Sequence, residues 1–174
     1  MIPAISLKIS WVHNLMFDKN RYIPKKERLE EKYNPEKGKA LLDKSRSFIT
    51  QFEVCRDRIL SLIEKRTGFD WQEKEIDVYI SDTVPNSYEE PLTLKFRDNA
   101  DEMILVLIHE LVHRNIPADL QENASDSERE MWADAITKEV CDEIGLVCCD
   151  YPYFENITGF KKEKSQTLKE FIED

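Results

Sequence analysis

The sequence predicts an α+β fold, in which a small mixed sheet with a backing helix is followed by two further helices. Three observations point to this class. Residues 76–80 and 92–96 alternate apolar and polar side chains, as half-buried strands do. Residues 37–66 carry apolar side chains at helical spacing, and residues 103–108 form an unbroken aliphatic run typical of a buried helix.

The first predicted elements are a strand and a long helix. Residues 4–13 alternate in polarity, which predicts a strand. Residues 37–66 predict the backing helix, and Gly68 ends it. The apolar stripe of this helix consists of Leu41, Phe48, Phe52, Cys55, Ile59, Leu62 and Ile63. Strands 76–80 and 92–96 follow, separated by a loop over 82–91.

The aliphatic run leads into the pentapeptide HELVH at 109–113. Asn99 is a suitable N-cap for a helix through this segment. Residues four apart share one face of a helix, so the imidazoles of His109 and His113 can bind the same metal ion. Glu110 stands beside the first of them, where a carboxylate can act on a water molecule at the metal. A nearly all-apolar helix tolerates such polar groups poorly unless they have a purpose.

A catalytic zinc site needs a third protein ligand and one open position. Residues 125–140 predict another helix, with Ser125 or Asp126 as its cap and an apolar stripe behind. Glu130 and Asp134 lie one turn apart on it, so Glu130 can be the third ligand. Asp134 can then accept a hydrogen bond from a ligand imidazole.

Asp119 is the rival third ligand, because it follows His113 by six residues. A ligand at that spacing needs a glycine three residues after the second histidine, so that the chain can turn with positive φ. Ile116 occupies that position, and a β-branched residue resists such a turn. The sequence therefore favours Glu130.

HELVH followed by Glu130-Met-Trp-Ala-Asp134 resembles the gluzincin-type zinc metallopeptidases, whose pattern is HExxH on one helix and ExxxD on the next. The similarity extends over about residues 75–145, and the short chain also resembles the minimal gluzincins. It implies a zincin-like fold with one Zn²⁺ per chain, held by His109, His113 and Glu130. It also implies that Glu110 is the general base and that Asp134 supports a ligand histidine. Arg114, directly after the second histidine, departs from the usual pattern.

The resemblance further implies a zinc-dependent peptidase that acts on peptides or unfolded proteins. Zincins pair substrate with an edge strand above the cleft, and by position this would be 91–97. Gluzincins usually add a His or Tyr that stabilises the oxyanion. Here Tyr151 and Tyr153 are the candidates, beside the distant His13. The alternatives are a zinc-binding module or latent zincin without turnover, and a hydrolase of non-peptide substrates.

Composition limits the partners and the compartment. The net charge of −10, from 35 acidic and 25 basic residues, argues against a nucleic-acid-binding surface. No signal peptide or membrane span is visible in the sequence, and the four cysteines have no CxxC spacing. We therefore expect a cytoplasmic protein with reduced thiols, and the oligomeric state stays open.

The predicted domain organisation is one domain over 1–159 and a tail over 160–174. The tail is charged at first and then carries Leu168, Phe171 and Ile172 at helical spacing. So short a helix needs a packing partner. The partner is either the domain's own core or the substrate cleft, and in the second case the tail would keep a peptidase latent.

Overall fold

The computed structural model describes residues 1–9, 35–82, 84, 86–89, 91–146, 162 and 166–173. The described strands are β1 (Ala4–Ile9), β2 (Glu75–Ser81), β3 (Tyr88–Glu89) and β4 (Leu92–Lys95). The described helices are α1 (Pro35–Thr67), α2 (Ala100–Asn115), α3 (Ala118–Asn123), α4 (Asp126–Ile144) and α5 (Leu168–Glu173). The α+β class with a small mixed sheet is confirmed.

The sheet has the order β1-β2-β4-β3. Its first three strands are parallel, and β3 runs antiparallel to β4. Ile76, Val78 and Ile80 of β2 are fully buried, as the alternating pattern predicts. Parallel neighbours need a crossover connection, and the long helix α1 lies in the connection between β1 and β2.

Two details of the sheet differ from the sequence-based expectation. The segment 91–97 was expected to be an edge strand, but β4 lies between β2 and β3, so this expectation is wrong. The predicted loop over 82–91 contains the two-residue strand β3, which is the edge strand on this side of the described sheet. A strand of two residues has too little alternation to be recognised from polarity.

Helix α1 supplies a large part of the core. It extends two residues further towards the N-terminus than predicted, to Pro35, and proline is well tolerated at the first helical position. Phe48, Phe52 and Ile59 are buried on its inner face. Gly68 adopts φ 77° after the last turn, which confirms it as the residue that ends the helix.

Helices α2 and α4 pack against each other and against α1. The Asn99 side chain accepts hydrogen bonds from the backbone N–H groups of Asp101 and Glu102, which confirms the predicted cap of α2. Ser125 begins α4 in a capping box with Glu128. Residues 103–113 of α2 are all buried, so this helix is enclosed on every side.

The C-terminal end of α2 is fixed by its sequence and by a buried amide. Ile116 is extended (φ −72°, ψ 128°), as a residue before proline prefers, and α2 ends at Asn115. The fully buried Asn115 side chain accepts a hydrogen bond from the Thr67 hydroxyl and donates one to the Phe69 carbonyl at 3.2 Å. These bonds join the ends of α1 and α2 and set the position of the HELVH turn relative to α1.

The described part of the tail packs on the domain's own core. Leu168 is completely buried in the core, and Thr167 caps α5 in a capping box with Glu170. A Cβ atom added to Gly68 would lie 2.9 Å from the Thr167 hydroxyl, so tail and α1 are in close contact. Lys162 forms an ion pair with Glu139 of α4 at 2.7 Å. The tail therefore packs on the domain's own core through Leu168, with Phe171 and Ile172 partly buried against it, in agreement with the first of the two predicted partners.

None of the helices in the described ranges combines the length and the apolarity that crossing a membrane requires.

Candidate metal centre

The HELVH segment brings two imidazoles together in the last turns of α2. The Nε2 atoms of His109 and His113 lie 3.1 Å apart, and their rings meet edge to face with centroids 4.8 Å apart. Both side chains are buried. The four-residue spacing on a helix produces this arrangement, as the sequence predicts.

Glu130 of α4 completes a group of three possible metal ligands. Its Oε2 atom lies 3.3 Å from His109 Nε2, and its Oε1 atom lies 3.6 Å from His113 Nε2. The Glu130 side chain is 59% exposed, so the group is open to solvent on this side. The ligand atoms of these three residues all lie within 4.8 Å of one another.

These distances fit a tetrahedral zinc site. Zinc bonds of about 2.0–2.2 Å to nitrogen or oxygen place neighbouring ligand atoms about 3.3–3.6 Å apart. The two histidine Nε2 atoms lie 3.1 Å apart, and they lie 3.3 and 3.6 Å from different oxygens of the Glu130 carboxylate, so each of these pairs is close to that range. With one ligand atom taken from each residue, the three atoms lie within 4.8 Å of one another. Two neutral imidazoles and a carboxylate are also a donor set suited to zinc. Zinc therefore fits the residues that are present.

Asp134 stands behind His109, on the side away from the ligand group. Its Oδ1 atom lies 3.1 Å from His109 Nδ1, and its side chain is only 2% exposed. The two atoms are at hydrogen-bond distance, although the bond is not well aligned. A carboxylate in this position holds the proton of the ring on Nδ1 and leaves Nε2 as the ligand atom.

The surroundings of the two histidines shift their pKa values in opposite directions. Burial lowers the pKa of His109, but Asp134, Glu130 and Glu110 outweigh it and raise that pKa to about 10. Burial and the neighbouring charge of His109 lower the pKa of His113 to about 4. The hydrogen bond with His109 lowers the pKa of the Glu130 carboxyl. Without a metal, the cluster thus holds a proton on His109, and this is the proton that a metal ion must displace.

Glu110, which the sequence predicts to be the general base, follows His109 in the chain and is buried. Its charge contributes to the raised pKa of His109, so the carboxylate acts electrostatically on the ligand group.

The other residues singled out from sequence are placed as follows. Asp119 is exposed on α3 and is not part of the ligand group, as expected from Ile116. Arg114 forms an ion pair with Glu73, and its Nε donates a hydrogen bond to Glu73 Oε1 at 2.9 Å. His13, Tyr151 and Tyr153 lie outside the described residues.

Sequence reasoning missed Gln121 of α3. Its amide nitrogen donates hydrogen bonds to the carbonyls of His113 and Ile116, at 2.7 and 2.9 Å. The side chain also interacts with the His113 ring, where it opposes the effect of burial on the pKa of His113. No pattern in the sequence signals this contact, because it depends on the turn at Pro117 that folds α3 back onto the end of α2.

Comparison with protein families, with curated proteins and with solved structures found no match to this chain.

Proposed function

We propose that this protein is a zinc-dependent hydrolase that cleaves peptide bonds, with Glu110 as its general base. The observation that carries the proposal is that His109 Nε2 and His113 Nε2 lie 3.1 Å apart, with the two Glu130 carboxylate oxygens 3.3 and 3.6 Å from them, so that three residues of a zinc donor set come together at one place. Because Glu130 is partly exposed, a substrate can approach from that side.

The proposal extends to the gluzincin type of metallopeptidase and its zincin-like fold. It is supported by HExxH on α2 and ExxxD on α4, two adjacent helices packed against each other. In this assignment His109, His113 and Glu130 hold one zinc ion, and Asp134 orients His109. The buried ion-pair contact between Asp134 and the His109 ring supports the last role.

The side chains of the site have separate roles in the proposed hydrolysis. A zinc ion held by the three ligands would supply Lewis-acid polarisation of the scissile carbonyl and would lower the pKa of water. Glu110 accepts the proton of the attacking water on its carboxylate and then donates it to the leaving amine. Asp134 keeps the proton of His109 on Nδ1 during the reaction, so that Nε2 stays available as a metal ligand.

The test compares wild type with Glu110→Gln and with the control Glu122→Gln, an exposed carboxylate on α3 that undergoes the same chemical change. Zinc is measured by elemental analysis after purification without chelator. Cleavage of an unfolded casein-like protein is followed under single-turnover conditions, with and without chelator. We expect one zinc per chain in all three proteins, and a cleavage rate reduced about 100-fold or more only in Glu110→Gln.

Two results would contradict the proposal in different ways. Clearly less than one zinc per chain in wild type would remove the metal site itself. Stoichiometric zinc with wild type and Glu110→Gln equally inert on peptides would favour a zinc-binding module. A screen of metabolite esters and amides would then test the hydrolase of non-peptide substrates.

A further inference from the structure

The last turn of α2 carries His113, one of the proposed metal ligands. The helix ends at Asn115, and the backbone N–H of Ile116 donates to the Val112 carbonyl at 3.1 Å. The end turns of helices open more easily than their middles, because the last carbonyls have no partner within the helix. A ligand in such a turn is in place only while the turn is formed.

Arg114, the next residue, ties this turn to a distant segment. Its Nε donates a hydrogen bond to Glu73 Oε1 at 2.9 Å, and its Nη2 contacts the other oxygen of the same carboxylate. Glu73 lies 41 residues earlier, in the connection between α1 and β2. The Arg114 and Glu73 side chains are 20% and 33% exposed, so the pair is partly shielded from water. Two parallel bonds fix the orientation of the guanidinium group as well as its distance.

A second arginine stands beside a metal ligand but is paired differently. Arg129 precedes Glu130, and its Nη2 contacts Asp126, three residues earlier on the same helix. An ion pair within one helix does not hold that helix against another segment. Arg114 and Arg129 therefore bring the same charge next to a ligand, and they differ in what the charge is attached to.

We propose that Arg114 is a positioning residue of the metal site: its two-bond pair with Glu73 keeps the last turn of α2 formed, so that His113 is in place before the metal binds. The inference rests on the proposed function for its metal. The order of the turn can, however, be measured without metal.

The direct effect of charge and the effect of position predict opposite results for one substitution. Arg114→Gln removes a positive charge from beside a ligand, and by charge alone it should strengthen the binding of a zinc cation. If Arg114 holds the turn, the same substitution should weaken zinc binding. A site that is formed for only about one tenth of the time binds its ligand about tenfold more weakly.

The test compares Arg114→Gln, Glu73→Gln and the double variant with the control Arg129→Gln. Zinc affinity is measured by competition with a chromophoric chelator. We expect both single variants to bind zinc about tenfold more weakly than wild type. The double variant should lose no more than either single one, because all three lack the same pair. Arg129→Gln should not weaken zinc binding.

Backbone hydrogen exchange of the metal-free proteins measures the turn itself. The Ile116 amide should exchange at least about tenfold faster in Arg114→Gln and in Glu73→Gln than in wild type. The Ile108 amide, in the middle of α2, should exchange at the wild-type rate. The melting temperature should change little, because a partly exposed ion pair contributes little to overall stability.

Two results would overturn the inference: zinc binding by Arg114→Gln that is as tight as in wild type or tighter, and unchanged exchange at Ile116 in both single variants. If Arg114→Gln does not fold, Arg114→Lys decides the matter. Lysine keeps the charge and loses the two-bond geometry, so we expect a smaller loss of zinc affinity, and wild-type affinity would count against the inference. A wild type that binds no zinc would contradict the proposed function, and exchange at Ile116 would still show whether Arg114 holds the turn.

Discussion

Helix α4 carries two pairs of carboxylates at the same four-residue spacing. Glu130 and Asp134 face the imidazoles of α2. Glu139 and Glu143 come nine residues later in the sequence, which places them about 180° around the helix. There they meet Arg66 of α1, whose Nε lies 3.5 Å from Glu139 Oε2, as well as Lys162 of the tail.

The difference between the two pairs lies in their partners. Arginine and lysine keep their protons at neutral pH, so the second pair forms permanent ion pairs that join α1, α4 and the tail. Histidine can give up its proton and use the freed nitrogen as a metal ligand. Identical spacing on one helix therefore supports a structural junction on one side and a candidate metal centre on the other. We refer to these as the junction face and the metal face.

The largest effect is expected from the core contact of the tail, next to the junction face. Leu168→Ala should lower the free energy of unfolding by about 2–5 kcal/mol, because Leu168 is completely buried. Urea unfolding measures this, with the exposed neighbour Lys169→Ala as the control. Zinc affinity of the folded protein should stay unchanged. Deletion of residues 160–174 should likewise destabilise the protein. A stable and newly active truncated protein would instead support the latent form.

The second prediction compares the zinc affinities of variants on the metal face and the junction face of α4. Glu130→Ala should weaken zinc binding by more than about 100-fold, because losing a ligand costs more than losing an outer hydrogen-bond partner. Glu139→Ala and Asp119→Ala should leave zinc affinity near that of wild type. Competition with a chromophoric chelator measures all three. Loss of zinc from Asp119→Ala but not from Glu130→Ala would reverse the ligand assignment.

The third prediction concerns Asp134, the second carboxylate of the metal face. Asp134→Asn should weaken zinc binding by about 10–100-fold, because the amide orients the His109 ring less firmly than the carboxylate. The matched control is Glu143→Gln, which makes the same chemical change at the equivalent position of the junction face. An Asp134→Asn protein that binds zinc as tightly as wild type would show that the contact at 3.1 Å has no role in the site.

The last prediction concerns the dependence of zinc affinity on pH, which is expected to change the affinity by about tenfold for each pH unit. The pKa of His109 is raised to about 10 by Asp134, Glu130 and Glu110 against the effect of burial, so near neutral pH a metal must displace its proton. His113, with a pKa lowered to about 4 mainly by burial, is already neutral there. Affinity should therefore rise about tenfold for each pH unit between about 6.5 and 8.5, with release of about one proton. Calorimetry in buffers of different ionisation enthalpy measures that proton, and a flat profile would contradict the prediction.

Much of the fold and most of the candidate site could be predicted from local patterns in the sequence. The helix through 103–113, its cap at Asn99 and the shared face of His109 and His113 all depend on neighbouring residues along one helix, and the structure has them as predicted. The same holds for the cap of α4 at Ser125. Periodicity and capping are properties of short segments, so the sequence is enough to predict them.

The tertiary structure decided what depends on contacts between distant segments. The position of β4 inside the sheet follows from its pairing with both β2 and β3, and the alternation within β4 contains no information about its neighbours. The contact between Gln121 and His113 depends on the turn after α2, and the ion pairs of Glu139 depend on the docking of α1 and the tail. The sequence by itself determined which residues share a helix face. Only the packing of the helices decided that one carboxylate pair of α4 meets histidines and the other meets fixed cations, because a side chain's partner across a helix interface depends on how the helices pack.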